Sequence, residues 1–220
     1  MVSESVVADV GSGTGFLAEL FLNNGNKVYA VEPNLEMRSA AERVLGNHPG
    51  FVSVAAAAEF TSLLAKSIDL ITAAQSFHWF NNSQAKDEFR RILKPAGWLI
   101  LIWNERVTSG TDFNQAYEAF ISKYAQDYDR VNHANLTDKT FVDFYGHEDF
   151  KLAVMNNHQH FDLTGLQERL LSSSYMPNIT HPLFDVWSKD LVGLFEEHAI
   201  DNKIQIDYFT KIYHGHLSGS

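Results

Sequence analysis

The chain has 220 residues, enough for one large α/β domain or one domain with an elaboration, and 45% of them are apolar and 13% aromatic, enough for a sizeable core. Its 17 basic and 27 acidic residues give a formal charge of −10 with no basic stripe, a poor basis for nucleic-acid binding, which neutralises phosphates. Absence of cysteine excludes disulfides, thiolate metal sites and cysteine nucleophiles, and no apolar run approaches the ~20 residues of a bilayer span. A cytoplasmic protein acting on small molecules, away from membrane and nucleic acid, is the expectation.

Taken in order, Val6 to Val10 reads as a buried parallel strand that runs into Gly11-Ser12-Gly13-Thr14-Gly15. Glycines there allow a sharp turn and a close approach of backbone to ligand. Helical spacing of Phe16, Leu17, Leu20 and Phe21 predicts a helix that Asn23-Asn24-Gly25 ends. A strand–turn–helix of this kind is where open α/β sheets bind nucleotides. Lys27 to Val31 is a second strand closed by Glu32-Pro33-Asn34, and Glu32 follows Gly11 at close to the ~20-residue interval at which such folds set an acid against ribose hydroxyls. The pattern continues with a helix from Leu35 to Leu45, a strand from Phe51 to Ala55, a loop at Ala56 to Glu59 and a strand from Ile68 to Ala74. A helix from Asn81 to Leu93, a turn at Lys94-Pro95-Ala96-Gly97 and a strand from Trp98 to Trp103 complete the first half. Strand and helix alternate as in a parallel, doubly wound sheet.

In the second half, a helix capped by Asp112 shows Phe113, Tyr117, Phe120, Ile121 and Tyr124 on one face and is expected to cover the sheet's carboxyl edge. An irregular polar stretch (127–139) leads to an aromatic patch at Phe141, Phe144 and Tyr145. A strand from Phe150 to Phe161, helices from Leu163 to Leu171 and Leu183 to Phe195, and a half-exposed strand from Ile204 to Tyr213 follow. The expected architecture is therefore a single α/β domain, 1–220, with a mostly parallel seven-stranded Rossmann-like sheet, an antiparallel last strand and a helical cover after strand five. Residues 1–105 form its nucleotide-binding half, and 106–220 the cover and last strands.

Two rival nucleotide motifs fit poorly. A dinucleotide fingerprint needs a glycine where Phe16 stands, and a P-loop needs a longer turn and a lysine. Val7 to Gly15, by contrast, resembles motif I of the class I S-adenosylmethionine-dependent methyltransferases. The resemblance continues through Val31-Glu32-Pro33-Asn34, Ala58-Glu59, Gln75-Ser76-Phe77-His78-Trp79-Phe80 and Arg91 to Gly97, in the family's order. The sequence is most similar to the small-molecule branch that includes trans-aconitate and quinone-biosynthesis methyltransferases.

That resemblance implies S-adenosyl-L-methionine as cofactor. Asp9 would help hold the methionine amino group, and backbone at Gly11, Ser12, Gly13 and Gly15 would surround the methionine moiety. Glu32, followed by Pro33, would accept the ribose hydroxyls, a charge-assisted contact. Met37 would lie on the adenine and Ala58 and Glu59 would meet its edge, while Ala57 stands where many relatives carry Asp. Gln75 to Trp79 would sit where the transferred methyl points. The family's helical segment before the first strand has only Met1 to Ser5 in its place, so the expectation is either a truncated version of the chain or an unusually open cofactor site.

Methyl transfer from a sulfonium is an in-line displacement in which the protein mainly positions the reactants and excludes water. His78 is the group suited to accept a proton near neutral pH, or else it packs beside Trp79. Phe77, His78, Trp79 and Trp103, with the aromatic helix, would wall in a neutral or partly apolar acceptor. His158 and His160 alternate on a strand without a third ligand, so no metal site is expected, and His214 and His216 fall in a tail expected to fray. The expected partner is a small-molecule methyl acceptor, and a homodimer is allowed. A non-catalytic protein of the same fold, acting by binding or dimerisation without the usual N-terminal cover, is the alternative.

Overall fold

The computed structural model describes residues 4–126, 138–173 and 175–218. They divide into two compact units. Unit one holds the chain through Trp103, the stretch that ends at Val154, and Lys211 onward; unit two holds the residues from Asn104 to 126 and Met155–Thr210. The first crossing between the units falls after Trp103, and two later stretches return to unit one. Most of the expected irregular polar stretch (127–139) lies outside the described residues.

A seven-stranded sheet runs in the order β3-β2-β1-β4-β5-β7-β6, built from β1 (Val6–Val10), β2 (Lys27–Val31), β3 (Phe51–Val54), β4 (Ile68–Ala74), β5 (Leu93–Arg106), β6 (Lys151–Phe161) and β7 (Ile204–Gly215). The pairs β1/β2, β1/β4, β2/β3 and β4/β5 are parallel, and the β5-β7-β6 edge is antiparallel, as expected of this fold class. The central strands are near-continuous apolar runs because helices cover both faces. On one face Val7, Val28, Ala30 and Leu70 pack against Ala18 and Leu22 of α1 (Phe16–Asn23) and Leu45 of α2 (Leu35–Leu45). On the other, Ala8, Val10, Ile71, Ala73, Leu99 and Leu101 share a core with Ala85, Phe89 and Ile92 of α3 (Asn82–Ile92) and the aromatic patch. That patch is helical, α5 (Asp138–Tyr145), and follows α4 (Asp112–Tyr124) in the chain.

Several expectations are corrected here. The inward face of α1 is Ala18 and Leu22; Phe16 and Leu20 are 77% and 56% exposed, because the small Ala18 is what lets the helix approach the sheet. No helix separates β3 from β4. That loop is held instead by buried Glu88 of α3, whose Oε1 accepts from Thr61 N and Oγ1 and whose carboxylate pairs with Arg91. The expected turn at Lys94 to Gly97 is a bulge inside β5: pairing with β4 jumps from Ile68↔Leu93 to Leu70↔Trp98, and Ala96 takes φ 61°.

The chain's last segment is ordered, not frayed. β7 reaches Gly215, the Tyr213 ring stacks on Phe141 at 3.7 Å, and His216 Nδ1 lies 3.0 Å from Gly97 O. Leu217 is buried, and Arg90 Nε donates to Ser218 O at 2.8 Å. Tyr145 anchors the same region, its buried hydroxyl donating to Tyr213 O at 2.9 Å with Leu99 O at 3.2 Å.

Unit two has its own core. Tyr117, Phe120, Ile121 and Tyr124 of α4 pack with Leu166 and Leu170 of α6 (Leu163–Leu171), Trp187, Leu191 and Phe195 of α7 (Phe184–His198), and Ile204, Ile206 and Tyr208 of β7. The aromatic face of α4 is therefore spent on its own unit. It is not a free wall for a ligand, as the sequence pattern had suggested. Among the described residues no helix is long and apolar enough to cross a membrane, and no cluster of three metal-ligating side chains occurs around His158 and His160 or elsewhere.

Candidate functional site

The exits of β1, β2 and β4 meet at the carboxyl edge of unit one. Gly11, Gly13 and Gly15 all have positive φ (68°, 56° and 88°), the conformation for which glycine is needed. The amides of Gly11 and Ser12 donate to Val31 O at 2.8 and 3.2 Å, so the turn folds back over the end of β2. A Cβ at Gly11 would stand 2.4 Å from Ser76 Cβ, and one at Gly15 2.6 Å from Leu45 Cδ1. Gly13 differs: its nearest neighbour would be Met37 Sδ at 4.0 Å. The backbone at Gly13 faces open space.

Glu32 stands behind the turn, only 6% exposed. Its Oε2 accepts from Gly13 N at 2.9 Å and its Oε1 from Asn34 N at 2.8 Å. Two carboxylate oxygens carry about four acceptor sites, so these bonds leave capacity for a ligand. Asn34 caps α2 by accepting from the amides of Glu36 and Met37, and Arg38 Nη1 donates to Glu32 O at 2.9 Å. Those contacts fix Met37 beside the turn, 48% exposed and out of the core. Pro33 is exposed next to it.

Asp9 lies beneath the turn with 1% exposure. Thr72 Oγ1 donates to its Oδ1 at 2.9 Å, while Oδ2 has no hydrogen-bond partner, and Ser12 Oγ is likewise buried without one. Burial pushes the Asp9 pKa up to about 7, against the Thr72 hydroxyl and the Ala18 amide, which pull it down, and with the Glu32 charge adding to the rise. At this depth Asp9 offers a ligand almost no surface.

Beyond β4 the chain enters a tight exit. Gln75 takes φ 56°, rare for a residue with a side chain, and its amide donates to Ile102 O at 3.0 Å. Ser76 is buried against Gly11 and its Oγ donates to Val10 O at 2.8 Å, tying the two strand exits together. The sequence shows Ser76 within the motif at 75–80 with no role of its own, and Thr72 only as a small hydroxyl residue on the strand beside β1.

The next residues divide by exposure. Phe77 is 2% exposed and packs against Phe80, Phe141 and Phe144, so its expected place in an acceptor wall is corrected: it belongs to the core. Trp79 is 65% exposed. His78 is half-buried, its ring 4.6 Å from that of Trp79 and edge-on to Trp103 at 5.2 Å. Burial lowers the His78 pKa, so the imidazole is neutral at pH 7. Trp103 is 6% exposed. Ala58 is buried in the core, and Glu59 Oε1 accepts from Asn81 N at 2.7 Å.

Residues 8–101 match the family model described as a methyltransferase domain. An uncharacterized methyltransferase of Mycobacterium tuberculosis is 37% identical over 100 residues, which are 46% of this chain and 40% of that protein. The match thus spans about two fifths of the length of that curated relative. Among solved structures, a candidate methyltransferase from an antibiotic biosynthesis pathway of Anabaena variabilis superposes with a TM-score of 0.65 at 21% identity, over 97% of this chain and 92% of that one. A SAM-dependent methyltransferase of Aquifex aeolicus gives 0.50 at 13% identity, over 94% and 81%. Likeness at these identities establishes the fold.

Proposed function

We propose that this chain, with a methyltransferase domain over residues 8–101, is an enzyme that transfers a methyl group from S-adenosylmethionine to a small-molecule acceptor. The observation that carries the reading is the cradle at Gly13, held at positive φ by the buried Glu32 carboxylate and open on the side of Met37. An acid with spare acceptor sites beside an exposed thioether suits a nucleoside: hydroxyls on one, an aromatic base on the other.

S-adenosylmethionine, when bound, supplies a methyl group on a sulfonium, already electrophilic. The protein's part is to position and to exclude water. Glu32 and the turn hold the nucleoside end, and Ser76 keeps the turn in register with the β4 exit. His78, neutral at pH 7, accepts the proton of an acceptor that arrives protonated, and Trp79 gives that acceptor an apolar surface.

Calorimetry with S-adenosylhomocysteine tests the cofactor. Absence of binding at millimolar ligand would overturn the proposal. With an acceptor identified by screening, His78→Ala should lower turnover roughly 10²-fold while leaving S-adenosylhomocysteine affinity unchanged. Full turnover in that variant would reduce His78 to a packing partner of the two tryptophans.

A further inference from the structure

Unit two holds a charge that the proposed transfer does not use. Arg169 lies half-buried on α6, one residue from Leu170 and three from Leu166, both in the unit's apolar core. Its Nη1 donates to Ser173 Oγ at 3.1 Å. Among the described residues no carboxylate pairs with it; the groups that act on its charge are the phenols of Tyr117, Tyr175 and Tyr208. At neutral pH these phenols are uncharged, and burial drives the Tyr117 hydroxyl further from ionising. They supply dipoles and no counter-charge.

Arg106 is the second cation of the cluster, its guanidinium 5.0 Å from the centre of the Tyr117 ring. Glu118 forms an ion pair with it. One positive charge is thus matched and the other is not. Tyr208 is 5% exposed and its hydroxyl is buried without a hydrogen bond, although the Arg169 side chain approaches it. Phe120, Leu166 and Met176 belong to the same apolar core as Tyr208. A half-buried guanidinium without an anion is costly, and everything polar around this one can donate a hydrogen bond.

We propose that Arg169, with the hydroxyls of Tyr175 and Tyr208, binds the carboxylate of a small organic acid whose body is apolar. The single unmatched charge suits one carboxylate; a phosphate dianion would leave excess negative charge among apolar side chains. A planar guanidinium takes a carboxylate through two parallel N–H bonds, and the unsatisfied Tyr208 hydroxyl supplies a third donor. The site lies wholly in unit two, so the inference stands or falls apart from the methyltransferase reading.

The test uses the full chain and two probes of one shape, phenylacetate and phenylacetamide, with binding followed by saturation-transfer NMR and calorimetry. Phenylacetate should bind at least about tenfold more tightly than the amide, because only the acid meets the guanidinium with charge. Arg169→Gln should reduce phenylacetate to the level of the amide, and Tyr208→Phe should weaken it several-fold with the circular dichroism unchanged. Equal binding of acid and amide, no binding of either at about 10 mM, or phenylacetate binding that survives Arg169→Gln would each overturn the proposal. Tighter binding of inorganic phosphate than of phenylacetate would overturn it too. The acid–amide comparison on the unmodified protein decides the matter even where the Arg169 variant does not fold.

Discussion

Gly11→Ala probes how the exits of β1 and β4 are joined. Two costs follow from the geometry. Alanine at φ 68° meets the left-handed penalty, about 1–2 kcal/mol, and its Cβ would stand 2.4 Å from Ser76 Cβ and 2.6 Å from Ser76 Oγ, an overpacking worth about 1–3 kcal/mol. Neither neighbour is the free end of a flexible chain, so the backbone must shift. The single variant should lose about 2–5 kcal/mol of stability. Ser76→Gly removes the atoms in the way, at the cost of one buried hydrogen bond to Val10 O and some chain entropy, about 1–2 kcal/mol together. In the double variant only the backbone penalty and the lost bond remain. It should be more stable than the sum of the singles by about 1–3 kcal/mol. Urea unfolding followed by tryptophan fluorescence measures this, since Trp79, Trp98 and Trp103 all lie in unit one. Additivity to within about 0.5 kcal/mol would refute the contact as the source of the cost.

Other substitutions separate the remaining roles. Glu32→Gln puts amide protons against the backbone donors of Gly13 or Asn34 and should weaken S-adenosylhomocysteine about tenfold or more; unchanged affinity by calorimetry would remove Glu32 from the site. Asp9 carries a pKa raised to about 7 in the folded protein against an ordinary value of 3.8, so the folded state binds the extra proton between those values. Its contribution to stability is complete below the lower value and is lost as pH rises through about 7, and Asp9→Asn should flatten that slope; denaturant midpoints at pH 5 and pH 8 that shift equally in both proteins would contradict the burial argument. Tyr145→Phe deletes a buried hydroxyl that two carbonyls share and should cost about 1–2 kcal/mol by thermal or urea unfolding, with no effect expected on ligand binding.

The parts of the site legible in the sequence are the local ones. A valine-rich strand running into three alternate glycines, and an acid closing the next strand, each write their conformation into a few adjacent residues. Gly11 to Gly15 and Glu32 stand where that pattern puts them, and the exits of β1 and β2 meet accordingly. What escaped depended on partners far along the chain. Ser76 matters because Gly11 lies opposite it, and Phe77 turns inward because α5 brings Phe141 and Phe144 to it. The helical spacing of Phe16 and Leu20 suggested burial, yet the sheet takes Ala18, whose small side chain permits the closer approach. His214 and His216 read as a loose tail until Trp98 and Gly97 are placed beside them.

The nesting of the two units sets an order on biosynthesis. Unit one begins with β1 but is completed by Tyr213, Leu217 and Ser218, which pack on Phe141, join its core and bond Arg90. In a chain folding as it is made, the glycine turn is present long before the closing strand β7. Unit two, whose segments lie between, is finished earlier. Domains usually fold as they are translated, N-terminal first. Here the half that carries the candidate site must wait until Tyr213 to Ser218 are made, with the β7-pairing edge of β5 open for that interval. Truncation at Lys211 should therefore act on folding yield far upstream, at the turn of the candidate site, without touching any residue of it.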